Sequence, residues 1–297
     1  LLISRDYTQF VADNPMELVA ISSWCWHAAY HAGRFSLLEA PRAAARLGFR
    51  FIELNDFMLP PPRFSRLRRP LLELLDAPPA LWRYDPSTLR RLQRELTATH
   101  ATCFGWTLDT DLTVSGRRWL WQRLYLEAGA RTAGRLRASL LRVTVGGAVD
   151  LLPRVDSTVA RRLAQLAQRH RFLIIAVENH GDLSADVERF CGIMRAARGL
   201  LPPAEAARLG VCFDPGNVLP KAREQQWALL APLAVHVHFK TRAFTSIGEE
   251  ASLPYPLILK LLSRAGYSGG ITIEYEGNDE PEHGIRRSLA LLKRHHG

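Results

Sequence analysis

Cysteine is scarce and scattered in this chain of 297 residues. Cys25, Cys103, Cys191 and Cys212 stand far apart, with no C-x-x-C pair. That removes a disulfide framework and a structural zinc site, and makes a reducing compartment the default. No apolar run reaches the ~18 residues of a membrane span, so no membrane partner is expected. No charged-then-apolar leader is recognisable, and the sequence predicts a cytoplasmic protein. Glycine-rich phosphate loops are missing as well. Neither G-x-G-x-x-G nor G-x-x-x-x-G-K-[ST] follows any strand-like run, which argues against a doubly wound nucleotide-binding sheet. Lysine is rare: of 39 basic residues only Lys221, Lys240, Lys260 and Lys293 are not arginine.

What remains is an ordinary water-soluble composition, 47% hydrophobic and 23% charged. Eight short apolar runs recur along it, at residues 18–23, 49–54, 98–104, 139–145, 172–178, 209–214, 233–239 and 270–275. They are rich in Val and Ile without polar alternation, as strands covered on both faces should be. Amphipathic, Arg-rich stretches of helical period lie between them, for example 157–170 and 253–264. One strand per about 37 residues is the size of a βα unit in a (β/α)8 barrel. The expectation is an α/β protein: a single TIM-barrel domain over 16–297 after an N-terminal extension at 1–15. A Pro- and Arg-rich insert at 56–86 follows the second strand. At that position it would be a lid or specificity loop over the barrel mouth, or a solvated excursion.

Chemistry in such a barrel sits at the C-terminal ends of the strands. Four successive strands end in metal-competent side chains: Glu178 in AVENHG, Asp214 in CFDPGN, His238 in HVHFK and Glu274 in ITIEYEG. Their separations of 36, 24 and 36 residues each approximate one βα unit. An ionised carboxylate at the end of an apolar strand is costly unless compensated. A divalent cation would compensate all three carboxylates together, with the imidazole as fourth donor. Three oxygens and one nitrogen form a fairly hard set, suiting Mn2+ foremost, with Mg2+, Co2+ or Zn2+ as alternatives.

The runs LGFRFIEL, VENHG, FDPGN, HVHFK and GGITIEYEG together resemble the xylose isomerase-like, or sugar phosphate isomerase/epimerase, superfamily of TIM barrels. The resemblance extends from about Leu18 onward. It implies one divalent metal held by Glu178, Asp214, His238 and Glu274, with Glu178 and Glu274 as the acid/base pair on opposite substrate faces. It also implies a mixed set of activities: ketose epimerases, aldose–ketose isomerases, inosose and dehydroshikimate dehydratases, and an endonuclease IV branch. The parts alone lead to the same chemistry. A metal on a carbonyl and its neighbouring hydroxyl stabilises the enediolate formed when a carboxylate removes the α-proton. Return of the proton then gives epimerisation or isomerisation, and loss of a β-hydroxyl gives dehydration. The expected function is a metal-dependent isomerase or epimerase of a ketose, keto-inositol or sugar phosphate, with the dehydratase as alternative.

Further strand-end residues are candidates for contacting a small polyhydroxylated carbonyl substrate. Trp24, Trp26 and His27 in SSWCWH would form an apolar wall, or else belong to the core. Glu53 ends the second strand in register with the ligands. His180, Asn217, Lys240 and Arg242 would reach substrate oxygens, or act as loop histidine, helix cap and solvated cations. His236 reads as a hydrogen-bonding residue inside the barrel. The net charge of +10 raises a nucleic-acid partner. The arginines are dispersed, however, and Asn217 and HFKTRAF stand where the endonuclease branch carries further metal ligands. A small molecule is therefore the favoured partner. Assembly into a homo-oligomer is left open.

Overall fold

The computed structural model describes residues 18–61 and 81–295. The proposed extension at 1–15 and most of the insert, 62–80, lie outside them. Eight parallel strands close into a barrel in sequence order. They are β1 (Val19–Ser22), β2 (Phe51–Asn55), β3 (Thr102–Thr107), β4 (Leu140–Thr144), β5 (Ile174–Glu178), β6 (Leu209–Phe213), β7 (Ala234–Thr241) and β8 (Ile271–Tyr275). The helices between and after them are α1 (His27–His31), α2 (Ala40–Arg46), α3 (Pro86–Ala98), α4 (Gly116–Arg135), α5 (Arg154–Arg169), α6 (Val187–Gly199), α7 (Pro203–Ala206), α8 (Arg223–Leu230), α9 (Tyr255–Arg264) and α10 (Pro281–His295). Among the described residues no helix is long and apolar enough to cross a membrane.

The helices follow from local sequence. In α5, Val159, Leu163, Leu166 and Ala167 recur at helical spacing and are buried, while arginines occupy the outer face. The α3 helix starts where Asp85 accepts a hydrogen bond from the Thr88 amide at 2.9 Å, with Pro86 at its first position. Its buried stripe, Leu89, Leu92 and Leu96, carries the helix through Ala98. The apolar run 98–104 is therefore not all strand. His100 turns the chain at φ 54°, and β3 begins at Thr102, four residues later than the sequence suggests.

The strands divide the barrel interior into two layers. Toward the N-terminal end, Leu18, Ala20, Phe104, Leu140, Ala176 and Cys212 form a small apolar cluster. Toward the C-terminal end the inward positions hold Glu53, Arg142, Glu178, His236, His238, Lys240 and Glu274, all buried. Gly105 makes room for this charged layer, since a Cβ there would stand 2.9 Å from Cγ of Glu53. The β7 strand runs two residues past its apolar stretch, because Lys240 pairs with Glu274 and Thr241 with Tyr275 of β8. Lys240 is thus an inward strand residue and not part of the rim.

Candidate metal centre

The last four strands deliver the four expected ligands to one place. Glu178 closes β5, His238 lies within β7 and Glu274 within β8. Asp214 follows β6 and accepts the Gly216 amide at 2.8 Å through Oδ1. The side chain of Asn179 clasps the Asp214 backbone, accepting from its amide at 2.9 Å and donating to its carbonyl at 2.8 Å. One ligand atom from each of Glu178, Asp214, His238 and Glu274 lies within 4.8 Å of the other three. From His238 Nδ1 the distances are 3.4 Å to Glu178 Oε1, 3.8 Å to Asp214 Oδ2 and 3.7 Å to Glu274 Oε2. Nδ1 is buried and has no hydrogen-bond partner. Atoms so placed surround a common point instead of bonding to one another.

Glu53 determines which histidine atom faces that point. Its Oε1 lies 3.1 Å from Nε2 of His238, and its Oε2 lies 2.8 Å from Nε2 of His236. Thr107 Oγ1 donates to Glu53 Oε1 at 2.8 Å. Burial pushes the Glu53 carboxyl up, but His238 and His236 override it and hold it well below the usual range. An ionised Glu53 keeps a proton on His238 Nε2 and turns Nδ1 toward the carboxylates, the arrangement by which outer carboxylates orient metal-binding imidazoles.

The two glutamates differ in their surroundings. Glu178 Oε2 is ion-paired with Arg142 of β4, and Oε1 accepts from Asn217 Nδ2 at 3.0 Å. Burial raises its pKa, yet the Arg142 guanidinium more than offsets this and the carboxyl stays well below the usual range. For Glu274 burial prevails over His238 and Lys240, and its pKa is raised. Arg142 is buried. Nothing in the sequence singles it out among so many arginines.

A family model for xylose isomerase-like TIM barrels matches residues 41–295. The chain belongs to this family. It is 36% identical over 77 residues to the 3'-dehydrocarminate deglycosidase alpha subunit of a Microbacterium species, a match covering 24% of this chain and 22% of that one. The chain thus spans about a fifth of that relative's length. Its fold is similar to the probable 3-DHS dehydratase of petrobactin synthesis from Bacillus anthracis, with a TM-score of 0.63, 13% identity, and coverage of 93% of this chain and 98% of that one. It is also similar to the 3-keto-D-glucoside 4-epimerase of E. coli, with a TM-score of 0.60, 15% identity, and coverage of 93% and 99%. Xylose isomerase-like barrels include sugar isomerases, epimerases and dehydratases, and this chain shares their architecture.

In this barrel the charge around the cluster fits a divalent cation. Glu53, Glu178, Asp214, Glu274 and Glu276 face the three cations Arg142, Lys240 and Arg242. The carboxylates outnumber these cations by two, and although burial opposes it, the surrounding anions hold the His238 pKa well above the ordinary imidazole value. Together with the orphaned Nδ1 and the hard donor set, this excess makes the four residues a fitting site for Mn2+, Mg2+ or Co2+.

Not every predicted substrate residue reaches this centre. Trp24 does, through its indole N–H, which donates to Glu276 Oε1 at 2.9 Å. Its ring packs at 5.0 Å from His27 and 5.5 Å from Phe57, giving a half-buried aromatic wall. Trp26 does not. It is 5% exposed and stacks on Phe35 at 5.3 Å. The two tryptophans lie in a 3-10 turn, Ser23–Trp26, where residues two apart point to different sides. His180 is exposed on the loop after β5. Arg242 meets Glu276 Oε2 at 3.0 Å. Trp106, within β3, is fully buried and donates its indole N–H to Tyr84 Oη at 3.0 Å, so it adds nothing to the aromatic wall. Glu276 itself escapes sequence reasoning, because it follows the end of the apolar run.

Proposed function

We propose that the chain is a divalent-metal-dependent enzyme that moves a proton α to the carbonyl of a polyhydroxylated ketone, as a sugar isomerase or epimerase. The observation that carries this reading is the buried convergence of Glu178, Asp214, His238 and Glu274 around an unpartnered imidazole nitrogen. A bound Mn2+ would polarise the substrate carbonyl and neutralise the developing enediolate charge. The chain's own residues would do the rest. Glu178 and Glu274 remove and return the α-proton from the two sides of the substrate. Asn217 and Arg142 hold Glu178 in place, and Lys240 holds Glu274. Trp24 and His27 lie against a carbon face of the sugar, and Arg242 and His180 stand at the rim to meet outer hydroxyls.

Elimination from a keto sugar is the second reading, and a specific observation favours it. The local identity is to a deglycosidase subunit named for a 3'-dehydro glycoside, and a fold neighbour is named for a 3-keto glucoside. Both readings start with the same α-proton. They differ in whether the enediolate is reprotonated or expels a β-substituent.

The test is a metal-reconstituted screen of ketoses, inososes and 3-keto glucosides in D2O, followed by NMR. Mn2+-dependent loss of an α-proton signal is the expected result. A vinylic product or released aglycone selects elimination. No exchange with any of these compounds at full metal occupancy overturns the proposal.

A further inference from the structure

Lys240 is the least expected member of the charged layer. It is 2% exposed, and its ammonium lies 2.8 Å from Asp214 Oδ2, 3.1 Å from Glu274 Oε1 and 3.0 Å from Glu276 Oε1. It also donates to Asn217 Oδ1 at 3.2 Å. Its stem runs against Gly216, where a Cβ would approach Lys240 Cδ to 2.7 Å; the glycine of FDPGN therefore leaves space for this lysine. Two of its three carboxylates, Asp214 and Glu274, belong to the metal-competent cluster. The third, Glu276, does not.

Glu276 in turn is a junction. Its Oε1 takes the Lys240 ammonium and the Trp24 indole N–H, and its Oε2 takes the Arg242 guanidinium. Charges of alternating sign thus run from the half-exposed Arg242 through Glu276 and Lys240 to the cluster. An ammonium and a divalent ion are attracted by the same two carboxylates and repel each other. Glu276 pulls the ammonium away from them.

We propose that Lys240 and Glu276 are a positioning pair that sets the metal affinity of the site, Lys240 as an internal competitor for Asp214 and Glu274, and Glu276 as its restraint. The pair rests on the metal-dependent reading above. With no metal bound, the Lys240 ammonium between Asp214 and Glu274 offsets part of the repulsion between these two buried carboxylates. The pair also ties the Trp24 wall to the metal-ligand strands, so that substrate face and metal position are aligned by one carboxylate.

Calorimetric titration with Mn2+, backed by the Mn2+ EPR signal, tests the pair without any substrate. Outer-sphere partners typically change metal affinity by about 10- to 100-fold. Lys240→Gln removes the competing charge and should bind Mn2+ about tenfold more tightly. Glu276→Gln keeps an acceptor for Trp24 but loosens the restraint, and should bind about tenfold more weakly. In the double variant the Glu276→Gln effect should vanish, because Glu276 acts through Lys240. Weaker or unchanged binding by Lys240→Gln, or an undiminished Glu276→Gln effect in the double variant, overturns the pair. Circular dichroism checks the fold of each variant. If Lys240→Gln does not fold, Arg242→Ala serves instead. It frees Glu276 to draw Lys240 further off, so binding should tighten, and unchanged or weaker binding overturns the pair. Wild-type protein that binds no divalent ion refutes the metal-dependent reading and the pair with it. Tight wild-type binding that Glu276→Gln leaves untouched refutes the pair alone.

Discussion

The two layers inside this barrel are built from the same eight strands and solve opposite problems. The N-terminal layer, around Leu140, Ala176 and Phe104, fills space with apolar side chains whose burial is favourable on its own. The C-terminal layer buries Glu53, Arg142, Glu178, Lys240 and Glu274, none of which would be stable there singly. Each of its charges has a named partner, so the layer holds only as a network. The difference shows where this fold's stability and its chemistry separate. A residue of the lower layer is replaceable by anything of similar shape, whereas a residue of the upper layer is defined by what it faces.

Two substitutions test that separation most strongly. Glu178→Gln and Glu274→Gln should each lower α-proton exchange by about 10²–10⁴-fold, the range for a lost general acid or base. Deuterium incorporation followed by NMR measures this, and wild-type exchange by either variant would remove that glutamate from the proton path. Leu140→Ala in the lower layer should do the reverse. It should cost about 2–5 kcal/mol of stability through the cavity left behind, seen in urea unfolding, while Mn2+ affinity stays unchanged. A large loss of metal binding in that variant would mean that the layers are mechanically coupled.

The layers were also unequally legible in sequence. Glu178, Asp214, His238 and Glu274 stand out because a charged or ligating residue ends an apolar run at βα spacing, and period alone places those residues on one rim. Lys240 looked like a loop cation because β7 was expected to stop where the apolar run stops. Pairing with β8, which a single strand does not reveal, carries it two residues further. Arg142 is invisible for a different reason: one arginine inside a strand has no contrast in a chain so rich in arginine. Trp24 and Trp26 illustrate a third limit. Both follow the same strand, and only the 3-10 turn decides that one faces Glu276 and the other Phe35.

Outside the barrel, Asp56 offers a buried charge with fewer partners than the upper layer provides. It is fully buried just beyond β2. Tyr84 Oη donates to its Oδ2 at 2.7 Å, while Oδ1 has no partner. Burial raises its pKa to about 7, with the neighbouring Asp109 adding to the rise and Tyr84 and Tyr125 opposing it. A carboxyl whose folded pKa lies above its unfolded value binds its proton more tightly when folded. Stability should therefore be highest below about pH 4 for this group, fall as pH rises toward 7, and level off above. The difference between wild type and Asp56→Asn is expected to grow by a few kcal/mol between pH 5 and pH 8, in favour of the variant. A difference independent of pH, in urea melts at both values, would show that Asp56 is ionised with adequate partners in the folded state.

The smallest expected effect comes from a single methyl group at the boundary between the layers. Gly105 faces Glu53, and an added Cβ would stand 2.9 Å from Glu53 Cγ and 3.1 Å from Leu140 Cδ2. Leu140 belongs to the packed lower layer and yields little, so Glu53 must be the one to shift. That shift loosens its hold on His238 and His236 but removes no ligand. Gly105→Ala should therefore weaken Mn2+ binding by up to about tenfold, at the lower end of what a displaced outer-sphere carboxylate causes. Calorimetric titration reads the change directly. Unaltered affinity together with a lowered unfolding midpoint would mean that Leu140 moves instead, and that the apolar layer is the softer of the two.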